Sequence, residues 1–444
     1  MRGDGASGPR VVIVGAGFAG LTALGTLATR HGWKRAAQAG RARPRLKLVD
    51  RNTYSTFQPL LYQVATAGLT SSDVAYPAWT AVHKAGAHFR LGEVTGLDTD
   101  ARQVVLADGS VLAYDYLILA SGVSAAFFGV PGAAEHALSL YTRRDAIILR
   151  NRLMDELERL SVAGHAKELA ITVVGGGATG VELAGTLAEL RNIALPASFP
   201  EIDPSQIKIR LIELGPALLA PFNESLRAYA RRELVARGVE VMLGTQITKV
   251  GDGQVVISGE RHDDQADAAA GNMLRSDITV WAAGVAGPPA IGKLGLPTGR
   301  GGRLLTGPDL RVAGQDRVFA AGDIGICEQD PVAQLAQPAI QQGRHAATQI
   351  ARLEAGLPTV PFHYKDKGIL ATIGHRSAVA EFPIGIRARG TLAWLGWLGL
   401  HLVTLLGGRN RVSALVNLSW RYLTWSRGGG VIIGDEEQAD ASAE

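Results

Sequence analysis

Three glycines, Gly15, Gly17 and Gly20, stand in the run VVIVGAGFAG, after a β-branched segment and before apolar residues at helical spacing. The chemistry open to such a G-x-G-x-x-G turn is pyrophosphate binding. The first glycine permits the tight turn, the second lets the backbone approach the phosphates, and the third lets helix and strand pack closely. The helix that follows turns its free N–H groups toward the anion. A carboxylate at the end of the next strand would then hold a ribose hydroxyl. Asp50, the last residue of LKLVD, has that position, and a basic, small-residue insertion from Lys34 to Arg45 accounts for its extra distance from the turn. The pattern then recurs: Gly175, Gly177 and Gly180 lie in VVGGGATGVELAG, and Glu213 ends IKIRLIE. A carboxylate there accepts from a 2′-hydroxyl and repels a 2′-phosphate, so NAD is favoured over NADP. Two such units imply two dinucleotides, and the natural pair is a flavin that stays and a nicotinamide that visits.

Other residues could complete the site. Gly322 and Asp323, in VFAAGDIG, follow a strand, where an aspartate can bond a ribityl hydroxyl; a common turn explains them equally well. Gln337 and Gln341, in AQPAIQQGRHAA, share a helix face, with Pro338 suited to the first turn. That helix N-terminus would stabilise negative charge on a reduced flavin, or the amides are a polar helix surface. Glu182 follows the second glycine loop. It is either an acid welcomed by the helix dipole or a carboxylate that passes protons near the nicotinamide or flavin.

The elements that must position these residues alternate strand and helix, which predicts an α/β fold with two Rossmann-like domains and parallel sheets. The expected order is a first part of an FAD-binding domain (1–142), an NAD-binding domain (143–285), the second part of the FAD-binding domain (286–385), membrane-docking helices (386–428) and a disordered acidic tail (429–444). Residues 143–162 have the apolar spacing of an amphipathic helix, and Glu260 to Asp277 reads as a loop or hairpin tip. The run TLAWLGWLGLHLVTLLGG, Thr391 to Gly408, carries no formal charge and is bracketed by Arg387, Arg389, Arg409 and Arg411. With two tryptophans and His401 embedded, it fits a helix lying in a membrane interface; a soluble core helix and a single span are the alternatives.

Composition narrows the function. The 444 residues include 55 glycines, consistent with many tight turns. Net charge is +4 with scattered basic residues, so nucleic acid is not an expected partner. The single cysteine, Cys327, leaves no disulfide framework, no redox dithiol and no Cys-ligated iron–sulfur cluster within the chain. No metal site is expected. The first apolar run is a glycine loop rather than a signal peptide, so most of the mass is expected on the cytosolic side.

With these motifs on the page, the chain resembles the type II NADH dehydrogenases, monotopic flavoproteins that pass electrons from NADH to a membrane quinone. The resemblance runs from about Val11 to Trp425 and includes DRNTYSTFQPLLYQVAT, AAGDIG, AQPAIQQGRHAA and YKDKGILATIGHRSAV. It implies that Gly15, Gly17, Gly20, Asp50, Gly322 and Asp323 hold FAD, and that Gly175, Gly177, Gly180 and Glu213 hold NADH, with Gly284 of the AAGV loop nearby. It implies a flavin-side carboxylate at Glu182, a quinone site at Gln337 and Gln341 with Lys367 beside it, and an enzyme without proton pumping. A homodimer on the cytoplasmic face of the cell membrane is also implied. Ser55 and His375 depart from the family's usual residues. The run FQPLLYQVAT would lie against the flavin side of the first domain, with Gln58 and Gln63 satisfying buried backbone groups. A reductase of a small electron-carrier protein, or a membrane-docked NADH sensor, would share the two glycine loops.

Overall fold

The computed structural model describes residues 8–29, 31–164, 167–258 and 272–424, with backbone alone for 421–424. The expected acidic tail (429–444) and most of the expected tip at 260–277 lie outside these residues. The chain forms two compact units, each assembled from separate stretches: 1–56, 76–124 and 285–367 make the first, and 57–75, 125–284 and 368–444 the second.

The first unit is built on a five-stranded parallel sheet in the order Val318–Ala320, Tyr116–Leu119, Arg10–Val14, Arg45–Asp50, His88–Leu91. The β-branched run at Arg10–Val14 is buried on both faces, as a central parallel strand requires. Helices Phe18–Ala28 and Ala336–Glu354 pack in one core with Val11, Ile13 and Phe319. They meet so closely that a Cβ at Gly343 would lie 2.1 Å from the carbonyl oxygen of Ala19. A three-stranded antiparallel sheet, Val94–Asp98, Gln103–Leu106 and Val111–Ala113, completes this unit. The insertion from Lys34 to Arg45 is exposed at nearly every position, as its composition suggests, but it is not all loop. It forms a short helix, Lys34–Gln38. Trp33 and Ala36 are buried in the core, and the Trp33 indole N–H donates to the Ala42 carbonyl at 3.1 Å. Burying one large aromatic outweighs the polarity of its neighbours.

The second unit repeats the plan. Its parallel sheet runs Leu138–Ser139, Ile278–Trp281, Leu169–Val174, Ile207–Ile212, Val239–Met242. The predicted amphipathic helix is Arg143–Ala163, started by a reciprocal capping box between Thr142 and Asp145. Strands Ile369–Gly374, Ser377–Glu381 and Arg387–Arg389 form an antiparallel sheet against which helix Ala178–Glu189 lies flush: a Cβ at Gly185 would lie 2.1 Å from the Ile373 oxygen. Helices Thr391–Thr404 and Gly408–Thr424 follow. Among the described residues, no helix is long and apolar enough to cross a membrane.

The run Phe57–Thr66 belongs to this second unit, not to the first as expected. Helix Leu61–Ala65 is buried at every position. Tyr62 packs on Trp397 with ring centroids 6.3 Å apart, and Phe57 meets His401 edge-on at 6.1 Å. The expectation for Gln58 also fails: its buried Oε1 has no hydrogen-bond partner among the described residues. What the apolar run supports is the underside of the C-terminal helices.

Candidate active site

The two glycine loops are near-copies in geometry. Gly15 and Gly175 sit at φ +106° and +110°, and a Cβ on either would strike the neighbouring strand end, at the Ala120 and Ala282 carbonyl oxygens. A Cβ on Gly20 or Gly180 would strike the oxygen of Gly15 or Gly175 at 1.8 and 1.9 Å. Gly17 and Gly177 differ from both: an added Cβ would meet no atom within 4 Å. The outer glycines are therefore required by the protein itself, while the middle ones face open space, as a pyrophosphate cradle needs.

Each loop is tied to the acid predicted for it. The Asp50 carboxylate accepts from the Ala16 N–H at 2.6 Å and the Asn52 N–H at 2.7 Å. Burial raises its pKa, and these two bonds pull back against the rise. Glu213 accepts from the Gly176 N–H, and from the Gly215 N–H at 2.6 Å.

Further along the first unit, Gly322 takes φ +80°, and its N–H donates to the Gln342 Oε1 at 2.7 Å. Gln342 was not singled out in the sequence; its neighbour Gln341 was. Burial holds the Asp323 carboxyl up at about 6, with the Arg303 cation acting to lower it. Arg303 spends its own donors on the Asp323 and Gly325 carbonyls. The Asp323 carboxylate has no hydrogen-bond partner among the described residues, so a ligand hydroxyl can take that place. These residues fit a dinucleotide with a ribityl chain. The helix expected near Gln337 begins at Ala336. Gln337 is half-buried, and Gln341 is bound at both ends of its amide to the backbone of Lys365, at 2.9 and 3.0 Å. Gln341 thus fixes the segment carrying the exposed Lys367.

Glu182 lies in the second turn of helix Ala178–Glu189, whose first turn contains no acid, so the helix-dipole explanation does not apply. It is only 8% exposed. Desolvation pushes its pKa up to about 8, opposed by the Thr372 N–H, which donates at 3.2 Å, and by the Trp397 indole. The Trp397 N–H makes no hydrogen bond of ordinary geometry. Its ring stacks on His401 at 4.2 Å, and His401 Nδ1 bonds the Trp397 carbonyl at 2.7 Å. Burial drives His401 down to about 4. A protonated acid and a neutral imidazole therefore flank one indole at neutral pH. None of Thr372, Trp397 and His401 could be linked to Glu182 from sequence spacing. Gly284, at φ +157°, lies at the edge of the Phe128 ring.

Residues 9–343 match the pyridine nucleotide-disulphide oxidoreductase family, the class that twin glycine-loop sheets of this kind define. The type II NADH:quinone oxidoreductase NdhA of Mycobacterium tuberculosis is 37% identical over 442 residues, covering 94% of this chain and 88% of the relative. The demethylphylloquinone reductase NdbB of Synechocystis is 30% identical over 423 residues, covering 93% and 95%. A solved structure of NDH2 from Plasmodium falciparum in complex with NADH shares the fold, with a TM-score of 0.82 at 19% identity, covering 95% of this chain and 100% of that one. The chain belongs to the type II NADH:quinone oxidoreductase family.

Proposed function

We propose that the protein oxidises NADH and reduces a membrane quinone through bound FAD, without moving protons across the membrane. The observation that carries this reading is the duplicated cradle, with open space at Gly17 and Gly177 and a carboxylate bonded to each loop. FAD, when bound, would supply a two-electron store between NADH and a quinone. Gly15, Gly17, Gly20, Asp50, Gly322 and Asp323 would hold FAD in the first unit. Gly175, Gly177, Gly180, Glu213 and Gly284 would hold NADH in the second. Glu182 keeps a proton at its carboxyl at neutral pH, and Gln337, Gln341 and Lys367 would form the quinone end. The single cysteine leaves no dithiol or polysulfide route. The apolar outer faces of the C-terminal helices would dock on the cytoplasmic face of the bilayer. A homodimer is part of the same reading, and sedimentation velocity checks it.

Anaerobic stopped-flow on lipid-supplemented protein tests the proposal through the flavin's visible absorbance. NADH is expected to bleach it and quinone to restore it. NADPH should bleach it far more slowly, because a carboxylate at Glu213 would repel a 2′-phosphate. Bleaching without recovery would point to a protein acceptor or a sensor. Gln341→Leu should slow the quinone phase while leaving the NADH phase intact; an unchanged quinone phase would remove Gln341 from the site.

A further inference from the structure

The turn Phe127–Val130 carries a residue that its backbone disfavours. The Val130 N–H donates to the Phe127 carbonyl at 3.0 Å. Both central residues have positive φ, Phe128 at +51° and Gly129 at +70°. That is the φ signature of a type I′ turn, which suits asparagine, aspartate and glycine; a bulky aromatic there is an outlier. The core does not explain the choice. Phe128 is 68% exposed, whereas its neighbour Phe127 packs against Trp281 at 5.7 Å.

The turn is pinned in place. The Trp281 indole N–H donates to the Ala126 carbonyl at 2.8 Å, and the Ala126 N–H donates to the Gly284 carbonyl at 3.1 Å. The edge of the Phe128 ring is thereby brought against Gly284, where an added Cβ would come within 2.6 Å of its Cζ. This spot has a defined place in the sheet. Strand Leu169–Val174, which leads into the Gly175 loop, lies between Ile278–Trp281 on one side and Ile207–Ile212 on the other. The strand order reverses there, and in open α/β sheets dinucleotides cross at that point. With pyrophosphate at the Gly175 loop and adenosine toward Glu213, the opposite half of the dinucleotide falls toward Gly284 and Phe128.

We propose that Phe128 is the platform on which the nicotinamide half of NADH packs, held ready by a strained turn. The proposal rests on the reading of the second unit as the NADH site. Strain of this kind persists where it serves a site, and an exposed ring gains contact area and ring–ring attraction once a planar ligand covers it. Glycine at 284 leaves room for the edge of the ring against the backbone, so that the ring's faces stay open.

The test compares full-length, FAD-loaded wild type with Phe128→Asn and Phe128→Tyr. Calorimetric titrations use NAD+ and ADP-ribose, which lacks the nicotinamide ring. Phe128→Asn is expected to weaken NAD+ about three- to tenfold, to leave ADP-ribose unchanged and to raise KM for NADH. Its thermal midpoint should hold or rise, because asparagine suits the turn. Phe128→Tyr should keep wild-type NAD+ affinity. Unchanged NAD+ affinity in Phe128→Asn, equal weakening of NAD+ and ADP-ribose, or a lowered thermal midpoint would each overturn the proposal. If wild type binds neither ligand, the NADH-site reading itself has failed, and the platform falls with it.

Discussion

Glu182 keeps its proton in the folded protein to about pH 8 because burial penalises the carboxylate more than the Thr372 N–H repays it. The sign of the linkage follows. An unfolded glutamate titrates near its model value of 4.5, so between there and about 8 the folded state binds the extra proton. That stabilisation is complete below the lower value and is lost as pH rises through the upper one. Glu182→Gln should therefore flatten the fall in thermal midpoint between pH 6 and 9, measured by calorimetry. A slope equal to wild type would mean that the carboxyl is ionised throughout. The glycine loops and their acids were legible in the sequence because a pyrophosphate turn fixes residue type and spacing along the chain. Gln342 and Phe128 were not, since one earns its role by reaching Gly322 from twenty residues away and the other by a backbone angle.

At the scale of elements, Asp73 decides where the last helix sits. It is buried and accepts from the Ser413 hydroxyl at 2.5 Å and the Asn417 amide at 2.8 Å, while the Asn410 amide donates to the Ala75 carbonyl at 2.7 Å. The polar face of Gly408–Thr424 is thus held on residues 73–75. Asp73→Ala would remove the shared acceptor of two half-buried donors and cost about 1–3 kcal/mol of local stability. Hydrogen exchange should speed up across residues 408–424 and leave the parallel sheets protected; unchanged exchange would show that the helix is held by other contacts. Periodicity announced the helix Arg143–Ala163 because its apolar stripe is local. It could not place Phe57–Thr66, whose partners Trp397 and His401 lie more than three hundred residues on in the sequence.

For the whole molecule, the outer faces of helices Thr391–Thr404 and Gly408–Thr424 carry exposed Leu392, Leu395, Val403, Val412, Val416 and Trp420. From Phe382 to Thr424 the sequence has five arginines and neither aspartate nor glutamate. This pairing suits an anionic bilayer surface, where apolar side chains insert and arginines meet phosphate. Replacing Leu395, Val403 and Val416 together by serine removes about 1.5–3 kcal/mol of burial per side chain. Co-sedimentation with phosphatidylglycerol vesicles should then be lost, while reduction of a water-soluble quinone by NADH continues. Retained co-sedimentation would place the docking face elsewhere. Added salt should weaken the wild-type interaction.

The interleaving of the two units also sets an order of events on the ribosome. The first sheet lacks an edge strand until Val318–Ala320 has been made, and the second unit lacks one of its antiparallel sheets until Arg387–Arg389 has emerged. Neither half can mature as an independent N-terminal domain, unlike the usual course of multidomain synthesis. The exposed helices emerge only after every strand of both sheets. The apolar outer faces of these helices are thus made when both parallel sheets already have all their strands.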